Sequence, residues 1–292
     1  MPEISAPWYK NGLHIVDESF IDELDAIKDT EKSLVTIGSS LSVIPFDPSV
    51  AGTPGGYEYH FLVCGNGCWK SDRELYGLYK ASAAGDSDVI LLEMSFSTFR
   101  DMETTITRTI VDKWGAYKIT EDEETVRASG LLSPLYRINR CLISIENLWE
   151  LGFDVFTQTV EKMQTGSDRP VVPGNFRNDY FNYDFVAESC NMTDDMKADL
   201  QSLIETINSE HQLIVWIAPI PEGLAATDYG RQYTEYVENE FIPMLNEKGI
   251  PYTDHMHDYK DSDFCDGVHL GYEAGKELTE KLSSDISEIL EK

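Results

Sequence analysis

The segment DFCDGVHLGYEAGKEL places Asp266 three residues before His269, directly ahead of a stretch with helical periodicity. A carboxylate at that spacing in a turn can reach the imidazole Nδ1. It then fixes the tautomer and leaves Nε2 facing a nucleophile. The nucleophile candidates are Ser39, Ser40 and Ser42 in GSSLS, which follows a short β-branched run and Gly38. A hydroxyl at a strand end can lie on a tight turn within reach of a general base. Taken singly, D-G-x-H and a serine-rich turn are both common surface features, so the reading rests on their combination. The arrangement is not the G-x-S-x-G elbow of the α/β-hydrolases, and here the serine comes first and the Asp and His come last.

The elements that must position these residues follow a strand–helix rhythm. SLVTIG, YEYHFLVC, SDVILLEM, QLIVWIAPIP and IPYTDHM read as strands. The third is a continuous apolar run, as expected of a strand buried on both faces. SDREL reads as a capping box, Ser71 with Glu74, opening a helix that carries Leu75, Leu78 and Tyr79 on one face. The last helix carries Leu278, Leu282, Ile286 and Leu290. Strands alternating with helices predict an α/β fold, a three-layer sandwich with a short parallel sheet. Sites in such sheets form at the carboxyl ends of strands. IGSSLS, CGNGCW and SFST lie there, and the Asp266–His269 segment follows the last strand. Between about residues 105 and 205 the pattern reads as a mainly helical insertion in a single domain spanning 1–292. Phe99, Met102, Ile106 and Ile110 would form one helical face of it.

VTIGSSLS and DFCDGVHLGYEAGKELTEKL together resemble the SGNH (GDSL-type) hydrolase family, whose pattern is Gly-x-Ser after the first strand and Asp-x-x-His before a closing helix. The resemblance implies an SGNH/flavodoxin-like sheet, with Ser40 as nucleophile, His269 as general base and Asp266 as its orienter. It implies a serine-dependent acyl-ester hydrolase acting on a small-molecule or polysaccharide acyl ester, without metal or organic cofactor. For the oxyanion it implies a backbone N–H at Gly67, with Cys68 or Trp69 as alternatives. Ser97 falls where the family has Asn, and Ser95 is the other candidate. Gly-Ser-Ser, the absent Asn and the insertion also resemble a branch that includes the D-alanyl-transfer (Dlt-type) envelope proteins. That branch implies an O-acyltransferase acting on a cell-envelope polysaccharide or teichoic-acid-like polymer. A non-catalytic binding protein on the same fold is the third reading. Among the serines, Gly38 permits a tight approach and Ser39 is expected to turn away. Ser40 then stands on the first turn of a short helix that Pro45 would interrupt. Ser42 lies too far along that turn.

Bulk properties narrow the classes. Twenty-three basic and 52 acidic residues give a formal charge of −29. Nucleic acid and anionic lipid would be repelled. No stretch approaches the roughly 20 apolar residues of a membrane span, and no basic-then-apolar leader opens the chain. The expected location is cytoplasmic, or extracellular with a leader or anchor absent from this chain. Five cysteines do not make a disulfide scaffold. Cys64 and Cys68 are read as free thiols in preference to a local bridge. His255, His257, Asp254 and Asp258 in DHMHDYKDSD are read as surface groups and not as a metal site. The aromatic run NFRNDYFNYDF is expected to line or cover the serine edge through Phe176, Tyr180 and Tyr183.

Overall fold

The apolar runs become a five-stranded, all-parallel sheet in the computed structural model, which describes residues 18–64, 67–100, 109–111, 116–119, 125–128, 183–265 and 267–292. Its strands are β1 (Ser33–Ser39), β2 (Glu58–Cys64), β3 (Val89–Met94), β7 (Gln212–Ile217) and β8 (Tyr252–Asp254). Their spatial order is β2-β1-β3-β7-β8. The chain therefore winds outward from β1 to β2, then crosses back to β3 and winds the other way. The β1/β3 boundary is the switch point, where the loops part and leave a crevice.

Side chains alternate across this sheet, and each face has its own core. Val35, Ile37, Ile90, Leu92, Val215 and Ile217 face one side. There they meet helix α1 (Glu18–Asp29), helix α4 (Trp69–Ser82) and the helix Asp194–Glu210. Leu34, Leu91, Ile214 and Trp216 face the other side, against Leu278, Leu282 and Ile286 of the final helix, Tyr272–Leu290. Helices thus cover both faces, which is why β1 and β3 are buried along their whole length.

Two local expectations shift. The helix α4 begins at Trp69, earlier than expected, because Cys68 is its N-cap and Ser71 sits at the third helical position. Ser71 does complete a capping arrangement, but by accepting the Cys68 N–H at 2.7 Å. The excursion after β3 also has different limits from the expected 105–205. The chain leaves at Arg100 and returns at Cys190, and those two residues pair as an antiparallel bridge. Asn191 N–H adds a bond to Phe99 O at 2.9 Å. The helix Asp194–Glu210 belongs to the frame, since Leu200, Leu203, Ile204 and Ile207 are buried in its core. The described start of the excursion is not helical. Strands β4 (Thr109–Val111), β5 (Ala116–Ile119) and β6 (Thr125–Ala128) form an antiparallel sheet. Ile110, expected on a helical face, lies in β4. Thr-Ile-Val and Thr-Val segments favour extended backbone, and strand pairing outweighs the helical spacing. Met102 and Ile106 lie outside the described residues.

At its amino end β3 is anchored by Asp88, which is 4% exposed. Its carboxylate accepts the Tyr79 hydroxyl at 2.7 Å and the Gly85 N–H at 2.9 Å. Burial, followed by this carboxylate, raises the Tyr79 hydroxyl far above its ordinary pKa. Asp88→Ala strands the Tyr79 hydroxyl in the interior and leaves the half-buried Gly85 N–H without this acceptor. It should cost about 2–3 kcal/mol in chemical denaturation, with Tyr79→Phe costing about half as much. Equal, negligible losses would show that this anchor contributes nothing.

Candidate active site

The turn after β1 sorts its three serines in different directions. Ser39 is the N-cap of helix α2 (Ser40–Val43), and its Oγ accepts the Leu41 N–H at 3.1 Å. Its hydroxyl donates to Glu93 Oε1 at 2.6 Å, and its N–H donates to Glu93 Oε2 at 2.9 Å. Ser42, one turn later, donates its hydroxyl to Glu93 Oε2. Both side chains are thereby turned inward and buried. Ser40 alone is half-buried at the crevice. Its Oγ lies 2.8 Å from His269 Nε2, across 229 positions of sequence. Gly38 makes this turn possible, since a side-chain carbon there would fall 2.5 Å from Glu93 Cβ and 2.8 Å from Ser42 Oγ.

His269 is presented by a short loop with a pinned neck. Phe264 and Leu270 pair as an antiparallel bridge, and both are 5% exposed. Cys265 N–H donates to His269 O at 2.8 Å, and Gly271 N–H donates to Asp263 O at 2.7 Å. Gly267 turns the loop with φ of +85°, a conformation that favours glycine. Gly271 then caps the final helix. Asp266, the expected orienter, lies outside the described residues.

The final helix also seats the loop against the serine turn. Gly275, in its first turns, meets the backbone of Pro45 so closely that a Cβ would stand 2.6 Å from Pro45 O. One turn on, Thr279 Oγ1 accepts the Asp47 N–H at 2.9 Å. Pro45 and Asp47 follow directly on helix α2, and Asp47 caps the short helix α3 (Pro48–Ala51), so these contacts fix Ser40 and His269 relative to one another. Glycine and threonine four apart put both contacts on one helical face.

Gly67 stands beside the same turn, where an added Cβ would fall 2.6 Å from Ser39 Cβ and 3.2 Å from Gly38 O. The alternative backbone donor, the Cys68 N–H, is already given to Ser71 Oγ at 2.7 Å, and the Cys68 thiol is free and buried. Burial pushes its ionisation up, which makes it a poor nucleophile. Ser97 is buried in a 3₁₀ turn, Phe96–Phe99, with its Oγ 2.9 Å from Ser95 Oγ. The two serine candidates for the oxyanion thus share one hydrogen bond, close to the switch point.

Other expected groups fall elsewhere. His255 is buried, with Nδ1 3.1 Å from Asp258 and Nε2 3.4 Å from Asp285. His257 is exposed and pairs with Glu238 at 3.2 Å. The two imidazoles thus take separate partners, and His255 is not the surface group expected. Of the aromatic run, Phe176 and Tyr180 lie outside the described residues. Tyr183 packs its ring on Gly223, in the segment that follows β7. Burial and the Asp261 carboxylate push its hydroxyl up to about 12.

Glu93 is a residue to which sequence reasoning assigned no role. The signal was one carboxylate inside the apolar run VILLEM. Comparison with protein-family models finds no match for this chain, and comparison with curated proteins finds none either.

Gly275→Ala places a methyl group against Pro45 backbone. Overpacking of this kind costs about 1–3 kcal/mol, read as a lower denaturation midpoint. The same variant should separate His269 from Ser40. An unchanged midpoint would mean that the helix and the serine turn are not packed this tightly.

Proposed function

We propose that this protein is a serine-dependent acyl-ester hydrolase of the SGNH type. The observation that carries the reading is the 2.8 Å approach of Ser40 Oγ to His269 Nε2 at the β1/β3 switch point. Hydroxyl and imidazole at hydrogen-bond distance, half-buried at a crevice, are what nucleophilic acyl transfer requires. The inward turn of Ser39 and Ser42 supports Ser40 as the only nucleophile of the three.

The chemistry runs in two halves. Ser40 Oγ attacks the ester carbonyl while its proton passes to His269 Nε2. Backbone N–H groups at Ser40 and Gly67, with the Ser97 hydroxyl, are the proposed donors to the oxyanion. The tetrahedral intermediate collapses, the C–O bond to the alkoxide breaks, and His269 returns the proton to that oxygen. Water then attacks the acyl carbonyl with His269 again as base; the C–O bond to Ser40 breaks, His269 returns the proton to Ser40 Oγ, and the acid leaves. Asp266 is the proposed orienter of His269. No step in this sequence calls for a metal or an organic cofactor.

Transfer to a polymer hydroxyl differs only in what attacks the acyl-enzyme, and a binding protein on this fold would perform neither half. One assay separates the three. Release of p-nitrophenol from a short acyl ester is followed with and without sugar acceptors, beside labelling with a fluorophosphonate probe. The expected result is release unaffected by acceptor and labelling of Ser40 alone. Ser40→Ala should abolish both, and His269→Ala should reduce both by about 10⁴-fold or more. Release speeded by an acceptor would assign transfer. No release and no labelling would assign binding. Labelling at Ser39 or Ser42, or labelling that survives His269→Ala, would overturn the assignment of Ser40.

A further inference from the structure

We propose that Glu93 is a positioning residue that aligns Ser40 for attack, acting through the serines on either side of it. The inference rests on the acyl-ester reading above and adds a residue to its machinery.

The placement is set by the sheet. β1 and β3 are adjacent, with Ile37 opposite Leu92, so the next pair sets Glu93 beside Gly38. Only Gly38 leaves room for the carboxylate, whose Oε2 would lie 2.7 Å from any Cβ at that position. Glu93 is 3% exposed, in the central part of the sheet. A carboxylate buried there is costly unless its lone pairs are filled. They are filled by three donors, and all three come from the serine turn: Ser39 N–H, Ser39 O–H and Ser42 O–H.

The pattern does more than satisfy a charge. Ser39 and Ser42 flank Ser40, and both are tied to one rigid group on a central strand. Ser39 Oγ passes the constraint on by capping Leu41 N–H. The backbone on both sides of Ser40 is thus fixed, which fixes the direction in which its Oγ leaves the turn. Both neighbouring hydroxyls are also withdrawn from the crevice. A hydrogen-bonded grip of this kind holds a reacting atom to within fractions of an ångström, where an error of about 1 Å can cost about 10²-fold in rate.

The test compares wild type, Glu93→Gln and Ser42→Ala with a p-nitrophenyl ester and a fluorophosphonate. The labelling endpoint counts folded, competent sites, so kcat is expressed per titrated site. The labelling rate and kcat then report alignment. For Glu93→Gln, kcat should fall by about 10²-fold with KM within about twofold, and labelling should be slower but reach the same endpoint. Ser42→Ala loses one hydrogen bond to a charged group and should lose about tenfold in kcat. A merely structural role would lower the melting midpoint or the endpoint and leave kcat per site at the wild-type value, and that result would overturn the proposal. Should Glu93→Gln fail to fold, wild-type kcat per site in Ser42→Ala would overturn it equally. A wild-type protein that neither labels nor turns over would sink the acyl-ester reading and this inference with it. An active wild type with indifferent variants would sink only the role of Glu93.

Discussion

Two atoms 229 positions apart in sequence, Ser40 Oγ and His269 Nε2, meet at 2.8 Å, and each side of that meeting is held by a different device. The serine side is held from the sheet, through the buried carboxylate of Glu93. The histidine side is held from the last helix, through Gly275 against Pro45 and Thr279 against Asp47. The two devices act on different residues of one turn. They agree because β1 leads into the turn that both of them grip, with Ser39 at its start and Asp47 at its end. A contact of this kind closes a loop of 229 positions. Its entropic cost grows only slowly with the number of residues enclosed. What makes it affordable is that the sheet and the final helix are already packed by Leu34, Leu91 and Leu278.

Strand β3 carries the same solution at each of its ends. Asp88 just before it and Glu93 within it are both nearly fully buried. The Ser33 N–H, at the start of β1, points to Asp88 at 3.4 Å, and the Ser39 N–H, at the end of β1, donates to Glu93. The remaining partners differ in kind. Those of Asp88 are Tyr79 and Gly85, which stitch helix α4 and a turn to the sheet. Those of Glu93 are hydroxyls that bracket Ser40, the proposed nucleophile. Position decides this difference, because only the carboxyl end of a parallel sheet opens into a crevice at the switch point.

The sequence made the frame readable where pattern is local. Four of the five strands appear within a residue or two of their predicted limits, because runs such as SLVTIG and QLIVWI must be buried on both faces. The strand predicted as QLIVWIAPIP stops at Ile217. Ser40 was separable from Ser39 and Ser42 by its place on the first helical turn, and the structure puts it there. What stayed illegible depended on partners far along the chain. Glu93 stood inside a strand read as a continuous apolar run, and nothing near it in sequence supplies its donors. The neck of the excursion is one bridge between Arg100 and Cys190, which no periodicity announces. The start of α4 was misplaced for a smaller reason. Ser71 has the residue type of a cap, but it serves the Cys68 N–H from inside the helix.

Charge bears on which acyl ester would suit the proposed site. A formal charge of −29 produces a negative field around the whole molecule, and low-dielectric clefts concentrate such fields. A polyanionic acceptor, such as a teichoic-acid-like polymer, would approach against that field and lose encounter rate. A neutral ester pays no such penalty, and a cationic one gains. The same field favours the imidazolium that His269 becomes in the proposed transition state, and opposes the oxyanion beside it. The oxyanion therefore depends on short-range donors, and their alignment depends on how firmly the turn around Ser40 is held. On this reading, the more acidic the protein, the more its chemistry rests on the rigid contact between β1 and Glu93.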